Sequence, residues 1–288
     1  MAVTLTAAQT ADAGAPQVGV TVAGLSTTTG CTVVVTVSWD GGATWNTVRG
    51  GIVNGALGST FIRDYVPPLN VSAIYQAVVT GGSTATVTGT VTATSSYAWL
   101  QDPLAPRSAV PLSIMLDPAG LFLVTTTFGS FLRAQAADRV TVMGSDLPAI
   151  SLGVRQAPSG VPLNIQGFMA TQGALVASLR VLFATAGQLV LRGLPASVPF
   201  DPVVHVSVGD VDEQPTVDGI LGVRNTWNLV VSQVRPVSMR VVIPWWTYDQ
   251  VYALIQTQVS AGATYAAVIT AMPAGKTYTQ WVANPGVV

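Results

Sequence analysis

The first hundred residues contain short runs in which apolar, mostly β-branched residues alternate with polar ones. Such runs, bounded by Gly, Pro or Asn, predict β-strands. Asp40-Gly41-Gly42 separates two of them and predicts a hairpin turn, because glycine accepts positive φ. Strands of this length at regular spacing are typical of a β-sandwich, which we therefore predict over residues 1–97. The predicted strands are Val18–Val22, Thr32–Trp39, Trp45–Arg49, Thr60–Asp64, Ser72–Val79 and Thr84–Ala93.

The pattern changes after residue 97. Residues 98–107 contain Pro103 and Pro106, and this spacing predicts a semi-rigid Pro-rich linker. Residues 108–243 then return to short strand-like runs and form a second predicted β domain. We expect the runs at Ala149–Val154 and Leu163–Gly167 to continue one sheet. The remaining runs are Leu121–Thr127, Arg139–Val142, Leu189–Leu191, Val203–Val208 and Trp227–Val231.

One segment of the second domain has helical periodicity instead. Leu175, Leu179, Leu182 and Phe183 follow the spacing i, i+4, i+7, i+8 and so form one apolar stripe. This predicts a helix over residues 171–186, with Thr171 as N-cap and Gly187 as a left-handed C-cap. The predicted fold class is mainly β with one or a few short helices. An N-terminal β-sandwich is followed by a β-barrel or second sandwich that carries one helix.

Composition adds an expectation about the surface. The chain has 288 residues, of which 49% are hydrophobic and only 9% charged, whereas about a quarter is usual for charged residues. So little charge predicts that part of the surface is buried in an assembly. The net charge of −1 gives no electrostatic footprint for nucleic acid. Proline, aspartate or glycine interrupts the longest apolar runs, so no membrane insertion is expected.

Few residues suggest chemistry. The single histidine, His205, alternates with Val204 and Val206, so a hydrogen-bonded strand position is favoured over a catalytic one. An acidic cluster lies in a predicted loop, where a solvated turn is favoured over calcium because EF-hand spacing is absent. We expect no catalysis, no cofactor and no metal. The acidic cluster consists of Asp210, Asp212, Glu213 and Asp218.

The aromatic residues suggest contacts with other molecules. Trp39, Trp45 and Trp227 occupy core-like positions on predicted strands, although sugar-binding platforms remain an alternative. Residues 244–288 carry the pattern Thr-Tyr-x-x-Val twice and are predicted to form a C-terminal aromatic segment for inter-subunit contacts. Aromatic side chains are common interface anchors. The predicted interface residues are Trp99, Trp245, Trp246, Tyr248, Tyr252 and Tyr265.

A longer string of residues resembles a known family. A strand ends at Arg155, a helix runs into Gly187–Arg192, Val-Gly-Asp-Val follows at Val208–Val211, and Trp-x-Leu-x-Val at Trp227–Val231. This order resembles a domain of the minor tail proteins of long-tailed phages that infect actinobacteria. Trp99 followed by Asp102-Pro103 resembles the linker in the same proteins. The N-terminal region is similar to a fibronectin type III or immunoglobulin-like domain. The chain departs from the family in its very low charge and in a linker that lacks the family's usual basic residues.

The resemblance implies a structural role in the virion. It implies a distal-tail-like second domain, at the tail tip or baseplate, in a protein made in the cytoplasm of the bacterial host. The implied partners are further copies in a cyclic homo-oligomer (a hexamer or trimer) and the tail tube, tape measure and tail hub proteins. The main alternative is a carbohydrate-binding adhesion module that contacts host cell-wall glycan. A third is an accessory domain of a secreted glycoside hydrolase.

Overall fold

The computed structural model describes residues 2–10, 14–114, 117–124, 126–140, 146, 149–218 and 222–237. These residues divide into two compact units. The first comprises residues 1–94 and 104–107, and the second comprises residues 95–103 and 108–237. The predicted C-terminal segment, residues 244–288, lies outside the described residues.

The first unit is a sandwich of two antiparallel sheets. One sheet has three strands in the order β1-β2-β5, and the other has four in the order β4-β3-β6-β7. Together the two sheets contain seven strands. The strands are β1 (Thr4–Gln9), β2 (Val18–Ala23), β3 (Cys31–Ser38), β4 (Asn46–Ala56), β5 (Ser59–Asp64), β6 (Ala73–Gly81) and β7 (Ala85–Val91).

Alternation of burial along the strands fills the space between the two sheets. Val33 and Val35 on β3 are fully buried, as are Tyr75 and Ala77 on the neighbouring β6. Successive side chains of a strand point to opposite faces, so every second residue enters the core. Cys31 is buried as a free thiol at the start of β3.

A glycine-containing turn and a tyrosine–aspartate contact fix the ends of the sandwich strands. Gly41 and Gly42 have φ of 74° and 95° in the β3–β4 turn, which confirms the predicted hairpin. The Tyr75 hydroxyl donates to the Asp64 carboxylate at 2.8 Å, and the same carboxylate accepts the Val66 N–H at 2.9 Å. This contact ties β6 to the end of β5, much as the tyrosine corner does in immunoglobulin-like sandwiches.

The second unit contains a closed barrel. Seven strands follow one another in the order β10-β13-β16-β15-β14-β8-β9, and a parallel pairing of β9 with β10 closes the barrel. A further pair, β11 and β12, forms a separate two-stranded sheet. The strands are β8 (Ala98–Asp102), β9 (Ala105–Ser113), β10 (Leu121–Leu123), β11 (Gln135–Val140), β12 (Ala149–Arg155), β13 (Val161–Phe168), β14 (Leu189–Arg192), β15 (Val203–Asp218) and β16 (Gly222–Gln233).

One helix, α1 (Met169–Thr185), follows β13 and packs on the same core. Its residues Val176, Leu179 and Leu182 are fully buried among the inward side chains of the barrel. Gly167 at the end of β13 makes this approach possible: a Cβ there would lie 3.0 Å from the Val176 side chain and 2.8 Å from Leu121. The fold class predicted from the sequence, mainly β with a sandwich, a barrel and one helix, is confirmed.

The caps predicted for the helix are wrong. The helix begins after Phe168, and Thr171 lies inside it. The buried Gln172 side chain takes the place of a cap because its Oε1 accepts the Phe168 N–H at 2.9 Å. At the other end the C-cap is Ala186 in an extended conformation, so Gly187 is not a left-handed cap.

Residues 98–107 are not a linker. β8 occupies 98–102 with all five residues buried, and β9 begins at Ala105. β8 pairs with β14, which places Leu100 opposite Leu191 and inserts the segment into the barrel. Proline is tolerated here because Pro103 lies in the turn between the two strands. The prolines suggested a linker, but the apolar residues Ala98 and Leu100 supply barrel core.

Candidate functional site

Trp99 lies inside the second unit. Its side chain is 8% exposed, and its Nε1–H donates to Ser95 Oγ at 2.8 Å. The Tyr97 ring meets it edge-on, with 6.4 Å between ring centroids. Burial leaves little of the Trp99 ring for another chain, so the predicted interface role is not supported at this residue. The other five predicted anchors, Trp245, Trp246, Tyr248, Tyr252 and Tyr265, lie outside the described residues.

Tyr97 links this region to an aspartate. Its hydroxyl donates to the Asp117 carboxylate, and this bond raises the pKa of Tyr97 and lowers that of Asp117. Asp117 also accepts the Ala119 N–H at 3.0 Å. The carboxylate therefore stays ionised while it organises the turn before β10.

The acidic cluster is not a loop. Residues 208–218 continue β15, which pairs with β16 as far as Asp218 opposite Gly222. The Glu213 carboxylate accepts a hydrogen bond from the Nε–H of Arg180 on α1 at 3.0 Å. This ion pair raises the pKa of Arg180. Within the described ranges, no group of three or more acidic, histidine or cysteine side chains could hold a metal ion.

His205 is a half-buried residue of β15. It lies opposite Val190 on β14, and its carbonyl accepts the Val234 N–H at 2.8 Å. His205 therefore lies on a strand, as its alternation with valines predicted.

The turn after β3 carries a polar network that the sequence analysis missed. Asp40 accepts hydrogen bonds from Ser38 Oγ at 2.7 Å and from the Thr44 N–H at 2.9 Å. The hydrogen bonds from Thr44, followed by that from Ser38, hold the pKa of Asp40 far below its usual value. Trp45, predicted as a core residue, is 37% exposed beside this turn. The strand starts only at Asn46, so the alternation that suggested burial does not include Trp45.

Several strongly exposed apolar residues lie on the two-stranded sheet, which we call the ribbon and define as residues 132–140 and 149–156. Its strands pair antiparallel, with Leu152 opposite Ala137 and Ile150 opposite Arg139. Leu152 is 62% exposed and Val154 is 91% exposed. The prediction that Ala149–Val154 continues the main sheet is wrong, because β12 pairs only with β11 among the described strands. An isolated two-stranded sheet is marginally stable in water, and exposed apolar residues mark contact surfaces.

The ribbon strands are also basic. Arg133, Arg139 and Arg155 are exposed, against the single exposed acid Asp138. Ion pairs to these three arginines are absent among the described residues. A further exposed acid, Asp146, lies in the connection between the two strands.

A second exposed element has the opposite charge. We call it the acidic hairpin and define it as residues 207–218 of β15 and 222–230 of β16. β14 pairs with β15 only from Val203 to Val206, so one edge of β15 is open beyond that point among the described strands. Asp210 and Asp212 are exposed along this stretch, and Val217 near the tip is 81% exposed.

Sequence reasoning could not identify either element as a surface. Ile150 and Leu152 alternate with Ser151 and Gly153, which is also the pattern of a strand with one face in a core.

The later parts of the string that resembles phage tail proteins lie on barrel strands. Gly187–Arg192 leads into β14, and Val208–Val211 and Trp227–Val231 lie on the paired strands β15 and β16.

Comparison with known proteins gives no match: no family model, curated protein or solved structure is significantly similar to the chain. Among the described residues, no helix is both long enough and apolar enough to cross a membrane.

Proposed function

We propose that the chain is a structural, non-enzymatic component of a phage tail, a minor tail protein at the tail tip or baseplate. The observation that carries the proposal is the string of residues that resembles these proteins. Its Val-Gly-Asp-Val and Trp-x-Leu-x-Val parts occupy adjacent strands, with Val208 directly opposite Val231. These two parts of the string therefore lie side by side in the barrel, whereas the strand that ends at Arg155 belongs to the separate two-stranded sheet.

The exposed elements of the second unit support assembly as the mode of action. The ribbon exposes Ile150, Leu152 and Val154 to solvent, and the acidic hairpin exposes Val217 and Val230. Burial in a larger complex would remove that apolar area from water.

The test is the location of the protein in virions. An antibody against the purified chain should label one end of the tail in electron micrographs of particles from an infected culture. A chain truncated after residue 243 should keep its β-type circular dichroism yet be depleted from purified particles, because residues 244–288 are expected to contact neighbouring subunits. Full-length protein that remains in the particle-free fraction would contradict the tail assignment. Truncated protein at normal copy number would contradict the role of the segment.

One observation favours the second candidate, a carbohydrate-binding adhesion module. Trp45 is 37% exposed beside a turn held by Asp40, and an exposed indole is a suitable platform for a sugar ring. The protein should then sediment with host cell walls, and Trp45→Ala should abolish this binding. The matched control is Trp227→Phe, which changes a fully buried tryptophan. Equal sedimentation of Trp45→Ala and the unmodified chain would exclude this site.

A further inference from the structure

We infer that copies of this chain associate head to tail, with the basic ribbon of one copy on the acidic hairpin of the next. This rests on the proposed function, because it names the partner of the exposed elements as a second copy of the chain. The two surfaces belong to the same unit and differ from each other. A contact between two different patches is heterologous, and it yields a ring where the rotation closes.

Charge complementarity favours a second copy as the occupant. The ribbon strands present Arg133, Arg139 and Arg155, and the hairpin presents Asp210 and Asp212, all of them exposed. The chain has only twelve cationic and thirteen acidic side chains in total. Charged side chains are therefore few, and several of them lie on these two elements. Opposite patches attract one another and orient the encounter, whereas two ribbons or two hairpins would repel.

Apolar side chains accompany the charges on both elements. Ile150, Leu152 and Val154 of the ribbon are at least half exposed. On the hairpin Val230 is more than half exposed as well, and it lies on the same face as Asp212, which pairs with Asn228. Apolar contacts surrounded by charged pairs are the usual composition of a protein interface. The charges therefore supply orientation, and burial of the valines, leucine and isoleucine supplies the main favourable free energy.

The contact is made by side chains rather than by a continuous backbone ladder. The open edge of β15 is interrupted by a bulge between Val208 and Val211, and Pro215 lacks an N–H to donate. The ribbon also has an irregularity, between Gln135 and Ala137. Bulges and prolines are the features that prevent strand addition at an open edge.

Charge reversal tests the pairing in the purified full-length chain. Self-association is measured by analytical ultracentrifugation. Arg139→Glu and Asp212→Arg should each weaken it by about 10-fold, and the double variant should recover most of the loss. Asp201→Arg and Arg235→Glu, which reverse exposed charges outside both elements, should leave it unchanged. Circular dichroism verifies the folding of each variant. A chain that is monomeric at every concentration, or single variants that associate like the unmodified chain, would overturn the inference.

A cross-linking experiment separates this arrangement from a symmetric one. Val154→Cys and Val230→Cys chains are prepared separately, mixed and treated with a flexible bismaleimide. The buried Cys31 thiol reacts little. The mixture should yield a covalent dimer containing one chain of each kind, whereas either variant alone should not. Val181→Cys, on the exposed side of α1, replaces each partner as the control. Dimers from Val154→Cys alone would indicate ribbon-to-ribbon contact and refute the head-to-tail arrangement.

The result is separable from the test of the tail assignment. Variants that fail to self-associate but still enter tails at normal copy number refute the ribbon–hairpin contact and leave the tail role intact. Head-to-tail dimers of a chain that never enters particles retain this contact and refute the tail role.

Discussion

Asp40 stabilises the turn between β3 and β4 through its ionised carboxylate. Hydrogen bonds from Thr44 and Ser38 favour the charged form, which lowers the pKa of Asp40 far below 3.8. A lowered folded-state pKa contributes stability that is complete above the unfolded value of about 3.9 and is lost as pH falls below it. Asp40→Asn should therefore lower the free energy of unfolding at pH 7.

The same substitution should also weaken the pH dependence of stability between about pH 5 and pH 2. Urea unfolding of the full chain, followed by circular dichroism at several pH values, measures both effects. Asp201→Asn, at an exposed position between β14 and β15, is the control. Identical pH profiles for Asp40→Asn and the unmodified chain would show that the turn does not depend on the carboxylate.

Gln172 joins three parts of the second unit through one buried amide. Its Nε2 donates to the Gly120 carbonyl at 2.7 Å, and its Oε1 accepts the Phe168 N–H at 2.9 Å. Gln172→Leu should leave these buried backbone groups unpaired and cost about 2 kcal/mol or more. The free energy of unfolding measures the loss, with the exposed Gln156→Leu as control. Equal stability of the two variants would mean that water replaces the lost partners.

At the level of elements, the ribbon is separable from the barrel. The Gln156 N–H donates to the Ala134 carbonyl at 2.9 Å, so the two ends of the ribbon strands lie side by side. Replacing residues 135–155 by Asn-Gly, a favoured hairpin turn, should leave the barrel folded. We expect its stability to change by about 1 kcal/mol or less, because the ribbon strands are absent from the core cluster.

The readouts for the ribbon replacement are the thermal transition and the sedimentation coefficient. The shortened chain should melt near the unmodified one and should lose self-association. The control is Asp201→Arg, which leaves both the ribbon and the acidic hairpin unchanged. Failure of the ribbon-less chain to fold would show that the ribbon belongs to the folding unit.

At the level of the whole molecule, the chain is built of two units with separate cores. Residues 1–94 contain all seven sandwich strands, which pair only with each other among the described strands. A fragment of residues 1–94 should therefore unfold cooperatively with a β-type spectrum. The same fragment with the fully buried Val35 replaced by Asp should be unfolded, since an unpaired buried charge is costly. A wild-type fragment without a cooperative transition would refute the division.

The sequence by itself determined the fold class and most strands of the sandwich. Alternation at Val33, Val35 and Val37 is a local signal, because the side chains of one strand must choose between two faces. The Asp-Gly-Gly turn and the apolar stripe of α1 are equally local. Each depends on residues within a few positions of each other, so the sequence contains the information directly.

Only the tertiary structure decided which strands share a sheet and which faces stay uncovered. β8 pairs with β14, so Trp99 lies opposite Arg192. The two residues are far apart in the sequence, so no local pattern predicts that they pair. Ile150 and Leu152 have the pattern of a half-buried strand, yet no described strand or helix covers them. Whether an apolar face is buried depends on what the rest of the chain places above it. The candidate contact surfaces can therefore be identified only from the folded structure, which shows the apolar residues that the core leaves exposed.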